Sequence, residues 1–195
     1  MDARDSVVGL PALEVVVTCV VGIAEAGRVW IAADSCLAVG DAEYESASPK
    51  VTQRDGWVWG MAGTWKAIVV IRDGLDVPPA DVGDVGEFVW RAFSLLKANG
   101  LEDESPDLLI GLHGRLYAAS EPHDWHCVPE WQSGRRRRRV PRSWHAVGCG
   151  APYALGCLDG IADSDLTPEQ RYTEALTVAS RRVSGVRQPW RHVEA

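Results

Sequence analysis

Three polar residues stand at equal intervals of 16 near the start of the chain: Thr18, Asp34 and Lys50. They lie within Thr18-Cys19-Val20-Val21-Gly22-Ile23, Ala32-Ala33-Asp34-Ser35 and Ser48-Pro49-Lys50. A threonine hydroxyl attacks a carbonyl only when a base removes its proton. A threonine at the head of a chain has such a base in its own α-amine. A buried lysine nearby would disfavour protonation of that amine, because like charges oppose one another, and an aspartate would hold the lysine in place. Each residue also has a plainer reading. Threonine is common in strands, lysine usually lies at the surface, and Asp34 could cap a turn with Ser35. Only mutual contact of the three decides.

The elements around them read as antiparallel strand pairs. Glu14 to Ala24 is a valine-rich apolar run that suits a strand buried on both faces. Glu25-Ala26-Gly27 reads as a three-residue hairpin connection with glycine last, and Arg28 to Ala33 returns as a second strand that delivers Asp34 at its end. Lys50-Val51-Thr52, a turn at Arg54-Asp55-Gly56 and Trp57 to Ala62 form a second hairpin. A short helix is expected from Thr64 to Arg72. A second, from Val85 to Lys97, places Val85, Phe88, Val89, Ala92, Leu95 and Leu96 on one face and stops at Asn99-Gly100. Asp107 to Ala119 is a further hairpin turning at His113-Gly114. Trp144 to Val147 leads as a strand into Gly148-Cys149-Gly150. Helices follow from Ala151 to Ile161 and from Thr167 to Val183, the latter opened by Thr167-Pro168-Glu169. Strand pairs, two helices, strand pairs and two helices are the order of an α+β, four-layer αββα sandwich of two antiparallel sheets.

These segments carry a resemblance. Thr18 to about Gly63 resembles the start of a proteasome β-type subunit, a threonine-type N-terminal nucleophile hydrolase. That family has a Thr-Thr-x-x-Gly start, an Ala-Asp-Ser or similar tripeptide and a lysine at these intervals. Met61-Ala62-Gly63 is similar to its Ala-Gly at the oxyanion hole, one residue closer than usual. Gly148-Cys149-Gly150 with Pro152-Tyr153-Ala154-Leu155-Gly156 resembles the segment that opens its third helix, and Ser184-Gly185 its serine-glycine near the active site. The resemblance spans about residues 18–190. It implies Thr18 as nucleophile, Asp34 and Lys50 as its partners, the Gly63 N–H as oxyanion donor, and Cys149, Ser184 and Gly185 in support.

The implied activity is peptide-bond hydrolysis by one subunit of a homo-oligomeric ring in the cytoplasm. The substrates would be peptides or unfolded proteins, an ATP-dependent unfoldase is a conceivable partner, and the chemistry asks for no cofactor or metal. Two other readings stay open: a non-catalytic ring or scaffold protein of the same fold, and an amidase for small-molecule amides. Two departures bear on them. Cys149 stands where the family has serine, and a thiol is a weaker hydrogen-bonding group than a hydroxyl. Arg181 stands where the family would carry an aspartate. Cys19 could serve as nucleophile in a cysteine variant, but it points the opposite way along the strand.

Composition narrows the field. The 195 residues suit one domain, and 46% hydrophobic residues can fill a core. No stretch approaches the roughly 20 apolar residues of a membrane span. A net charge of −7 argues against a general nucleic-acid binder. Five cysteines without paired spacing read as reduced thiols in a cytosolic protein. Residues 1–17 lack the pattern of a secretory signal. They are either a propeptide or the product of a mis-assigned start, in which Val15, Val16 or Val17 is the initiator. A β-branched Val17 hinders the tight turn of self-cleavage, which favours the second. Residues 18–195 are then the hydrolase domain.

The stretch from 123 to 143 is an arginine-rich loop in this reading. It holds Arg135 to Arg139 between Trp131 and Trp144, which could contact nucleic acid or simply be a solvated charge run, the commoner case. His123, His126 and Cys127 lack a fourth ligand at metal-binding spacing.

Overall fold

The computed structural model describes residues 17–39, 42–130 and 142–195. Strands β1 (Val20–Glu25) and β2 (Arg28–Ala33) form the first hairpin, and β3 (Cys36–Val39) and β4 (Ala42–Glu45) a small separate one. Strands β5 (Val51–Arg54) and β6 (Trp57–Ala62) follow, then helices α1 (Trp65–Gly74) and α2 (Val85–Ala98). Strands β7 (Asp107–Leu112), β8 (Arg115–Glu121), β9 (Asp124–Cys127) and β10 (Arg142–Val147) precede α3 (Ala151–Gly160) and α4 (Pro168–Ser180). Strand β11 (Arg191–Glu194) ends the chain.

Three of the hairpins close through two-residue turns of one kind: Ala26-Gly27, Asp55-Gly56 and His113-Gly114. Both residues of each have positive φ, between 49° and 83°. That conformation matches the right-handed twist of the flanking strands and favours glycine in the second place. The first connection is therefore shorter than the three residues expected. Glu25 stays in the ladder opposite Arg28 and Arg142, where its carboxylate accepts from Arg142 Nε at 2.6 Å.

Every pairing is antiparallel. One sheet has the order β10-β1-β2-β11, the other β5-β6-β7-β8-β9. Apolar side chains separate into three cores that lie between four layers. Val20, Val29, Ile31, Val58, Leu109 and Leu116 fill the space between the sheets. Trp57, Trp59, Ile68, Ile71, Phe88 and Leu96 join the second sheet to α1 and α2. Val21, Ile23, Ala154, Leu158, Tyr172 and Leu176 join the first sheet to α3 and α4. This is the αββα sandwich.

The helix ends follow local chemistry. Asp84 accepts from Glu87 N at 2.7 Å ahead of α2, and Thr167 and Gln170 form a reciprocal capping box ahead of α4. At the other end of α1, the Arg54 guanidinium donates to the Arg72 and Leu75 carbonyls at 2.8 and 2.7 Å. No helix among the described residues is long and apolar enough to cross a membrane.

Four expectations are corrected. Among the described residues the first strand begins at Val20 and leaves out Val17 to Cys19, because its partners β2 and β10 end opposite Val20, and the expected part before residue 17 lies outside the described residues. Helix α4 ends at Ser180 rather than Val183. Part of the supposed 123–143 loop is strand, since Asp124–Cys127 pairs with β8 and Arg142 opens β10. Strands β3, β4, β9 and β11 were not expected. The arginine run 135–139 and residues 1–16 lie outside the described residues.

The sheets approach closely because glycines face one another's layers. A Cβ on Gly111 would lie 2.5 Å from Val58 Cγ2 and 2.7 Å from Val29 Cγ1. One on Gly60 would lie 2.6 Å from Val20 Cγ1. Replacing Gly111 by alanine should overpack this core and lower stability by about 1–3 kcal/mol. A urea unfolding midpoint equal to that of the wild type would show that the layers can part without cost.

Candidate functional site

Strand β2 ends at Ala33, and the chain turns so that the Asp34 carboxylate faces back toward the start of β1. Its Oδ1 accepts from Cys19 N at 2.8 Å. Its Oδ2 accepts from Cys36 N at 2.9 Å and from Lys50 Nζ at 2.8 Å. The bond to the amide two residues on is an Asx turn, a conformation that aspartate favours. Lys50 leads into β5, where its own carbonyl accepts from Met61 N at 3.1 Å. Its ammonium has three acceptors for three protons: Asp34 Oδ2 at 2.8 Å, Thr18 Oγ1 at 3.0 Å and the Val17 carbonyl at 3.4 Å. Thr18, Asp34 and Lys50 are all buried, at 2%, 0% and 2% exposure. The structure thus brings the three equally spaced residues into one chain of hydrogen bonds.

The other flank of Thr18 is the turn after β10. Thr18 N donates to Cys149 Sγ at 3.3 Å, and the Cys149 thiol donates to the Thr18 carbonyl at 3.3 Å. Gly150 N also donates to that carbonyl, at 3.3 Å. Gly148 has φ +88°, and a Cβ there would collide with the Thr18 carbonyl oxygen. A side chain at 148 is excluded both by conformation and by space.

Burial pushes the Asp34 carboxyl above the usual carboxylate range, against the pull of the Lys50 ammonium and of the Cys19 and Cys36 N–H groups. The Cys19 thiol is pushed up strongly, first by burial and then by Asp34 and Cys149, with Lys50 opposing. Cys19 is fully buried in the core beneath α3 and α4, on the face opposite to Thr18. A thiol held protonated in an apolar core is not a nucleophile.

The remaining expected residues are placed less directly. Gly63 follows the last residue of β6, Ala62, whose Cβ lies 3.0 Å from the position a Gly148 Cβ would take. A Cβ on Gly63 itself would meet Pro106 at 2.8 Å. Gly185 is buried, and a Cβ there would lie 2.7 Å from Val17 Cγ1. Ser184 is exposed and, among the described residues, makes no hydrogen bond to the Thr18 cluster. Arg181 is exposed as the residue after α4. Sequence reasoning missed the Cys36 N–H, which the Asp34-Ser35-Cys36 spacing of an Asx turn could have signalled, and the role of Gly148 in admitting the Thr18 carbonyl. A cavity of about 540 Å³ lies at the other end of β1, lined by Glu25, His113, Arg142 and their neighbours. It shares no residue with the Thr18 cluster.

No protein-family model and no curated protein sequence matches the chain. Solved structures do. BPH of Thiobacillus denitrificans, in complex with epoxomicin, has a TM-score of 0.72 at 19% identity, over 91% of this chain and 97% of that one. Eukaryotic HslV from Trypanosoma brucei has a TM-score of 0.67 at 15% identity, over 90% and 98%. An Anbu mutant from Hyphomicrobium sp. strain MC1 has a TM-score of 0.68 at 14% identity, over 91% and 81%. Such identities speak to architecture alone, and in architecture this chain has the fold of the proteasome-like N-terminal nucleophile hydrolases.

Proposed function

We propose that this chain is a threonine-dependent peptidase subunit in which Thr18 is the nucleophile. One observation carries the reading: a buried ammonium that bonds the threonine hydroxyl and an aspartate at once. With the Val17–Thr18 bond intact, the Thr18 nitrogen is an amide and has no basic lone pair. Opening that bond turns it into an amine, beside Cys149 Sγ. The amine then takes the Oγ1 proton, directly or through a water, as Oγ1 attacks a peptide carbonyl. Lys50 stabilises the hydroxyl oxygen as negative charge develops on it and disfavours protonation of the amine. Asp34 fixes Lys50. The Gly63 N–H is the assigned oxyanion donor, and water releases the acyl group from Thr18.

A ring of identical subunits is part of the proposal, with residues 18–195 as the hydrolase domain. The helix layers on both outer faces favour partners, and ring closure is the symmetric way to supply them. Trp90 on α2 is 57% exposed, a side chain of the kind that interfaces cover.

A second reading has its own observations. Ser184 and Arg181 are exposed and, among the described residues, make no hydrogen bond to Thr18, and the thiol of Cys149 is a weak partner for an amine. These favour a scaffold that keeps the fold without the chemistry.

Thr18→Ala should abolish hydrolysis of fluorogenic peptides in a chain whose intact mass shows that it begins at residue 18. Hydrolysis that survives Thr18→Ala at the wild-type rate would remove Thr18 as the nucleophile, and no hydrolysis above background in either chain would hand the protein to the scaffold reading. Lys50→Met should also abolish turnover. By leaving Asp34 buried without its cation it should lower stability by about 3–5 kcal/mol in chemical denaturation. Asp34 can shed part of this loss by taking up a proton, so the deficit should shrink as the pH is lowered.

Cys149→Ala removes one hydrogen bond of about 1 kcal/mol at the Thr18 nitrogen, so kcat should fall by about fivefold with KM unchanged. Cys149→Ser, which restores a stronger hydrogen-bonding group, should hold or raise kcat. Equal kcat for all three chains would remove Cys149 from the site.

A further inference from the structure

Away from Lys50 the two sheets also meet through a pair of histidines. His126 on β9 stands opposite Ala118, which faces the space between the sheets. His145 on β10 stands opposite Gly22, where a Cβ would meet Leu109 and Leu116 in that same space. Residues paired across an antiparallel ladder share a face, so the two imidazoles approach each other from opposite sheets. Their ring centroids are 6.3 Å apart, edge to face at 75°. Asp107 on β7, opposite Ala62, faces the same space. Among the described residues β9 and β10 are edge strands, each held in its ladder from one side. They are the members of their sheets most easily displaced.

The pair also stands close to Thr18 along the chain of contacts. His145 lies just ahead of the Gly148 turn, whose Cys149 and Gly150 bond both peptide groups of Thr18. The start of β10 is pinned, because Arg142 Nε donates to Glu25 at 2.6 Å. Displacement of β10 at His145 is therefore taken up at its Gly148 end.

We propose that His126 and His145 form an acid-released clasp between the two sheets, which on protonation frees the end of β10 and loosens the Gly148-Cys149 turn from Thr18. Control of activity by the clasp rests on Thr18 being the nucleophile; the clasp itself does not. As neutral rings the two pack edge to face. As imidazolium ions they repel one another. Burial first, and then His126, hold His145 below its usual value of 6.5, with Asp107 opposing. The folded chain takes up this proton less readily than the unfolded one. The stability that the neutral pair contributes is therefore whole above pH 6.5 and is lost as the pH falls below it. Burial raises Asp107 against the pull of His145, so added acid removes the charge that offsets an imidazolium. Glu130 and Asp159 line a cavity of about 680 Å³ with the two histidines, and Asp159 accepts from Trp144 Nε1 at 3.0 Å. Gly22 of β1 and Leu116 and Ala118 of β8 bring no charge to the pair.

The test is a double-mutant cycle on the full chain with His126→Gln, His145→Gln and both together. Unfolding by denaturant is followed at pH 7.5 and at pH 5.0, on either side of histidine titration, with a chelator present. Two unit charges 6.3 Å apart change an equilibrium constant by about threefold even at the dielectric constant of water. The cycle should show a repulsion of about threefold or more in the unfolding constant at pH 5.0, and none at pH 7.5. The same four chains, beginning at residue 18, are then assayed for kcat on fluorogenic peptides across that range. Each single substitution should carry activity to lower pH than in the wild type and leave kcat at pH 7.5 unchanged. Equal coupling at the two pH values overturns the clasp. Coupling that appears in acid without a shift in the acid limb of kcat overturns its hold on Thr18. Chains that cleave no peptide at any pH overturn Thr18 as nucleophile and the control with it, and the unfolding cycle still decides the clasp.

Discussion

The site depends on one ammonium out of contact with water. Removing a lysine head group from solvent costs several kcal/mol, a cost offset only when good geometry and hydrogen bonds satisfy the charge. Lys50 meets that condition with one carboxylate, one hydroxyl and one carbonyl. The acceptors come from the segment before β1 and from the end of β2, in the first sheet, whereas Lys50 enters β5 in the second. The hydrogen bonds therefore close only if the two sheets stand at the right separation. Gly22, Gly60 and Gly111 supply it: each lacks a side chain at a point where a Cβ would strike an apolar group of the neighbouring core at 2.7 Å or less. Packing between the layers and geometry at Thr18 are one constraint, met by residues with nothing to do with chemistry.

The opposite flank is held by backbone rather than by charge. Strand β10 runs antiparallel to β1 as far as Val147, and the left-handed Gly148 then turns the chain so that Cys149 and Gly150 address both peptide groups of Thr18. Thr18 is fixed on one side by an ion pair and on the other by a turn. Its own rotamer is left as the only free choice, and Lys50 makes that choice by binding Oγ1. This is the positional control that proton transfer over a single hydrogen bond requires.

How much of this was legible depended on whether a feature leaves a periodic or compositional trace. The three strand pairs closed by Ala26-Gly27, Asp55-Gly56 and His113-Gly114 were readable, because apolar runs flank a residue pair that only certain turns accept. The trio Thr18, Asp34 and Lys50 was readable from strand boundaries, since each stands where an apolar run begins or ends. Strand β9 was not. Its residues Asp124, Trp125, His126 and Cys127 are all exposed, so no alternation marks it, and it is a strand only through its backbone bonds to β8. The same holds for β11, where only Val193 is partly buried. Strand β11 is held by β2, far away in sequence, and β9 follows β8 across the turn Pro122-His123, which lacks the glycine that marks the other three. Ser184 shows the reverse error: a familiar dipeptide in the expected order, whose serine faces solvent while its glycine meets Val17.

The buried pair also bears on why the chain has such a site at all. Replacing a buried ion pair by apolar residues of similar volume is often neutral or stabilising by about 1–4 kcal/mol. A protein that needed only the packing of two sheets and four helices would be served as well by a leucine at 50 and a small residue at 34. Nothing in the three apolar cores calls for a charge beneath Thr18, and Asp34 tolerates burial only because two amides and an ammonium converge on it. The ammonium is directed at the Thr18 hydroxyl and at the carbonyl of the peptide bond that precedes it. Packing alone does not call for this arrangement. The chemistry proposed at Thr18 would use each of these contacts.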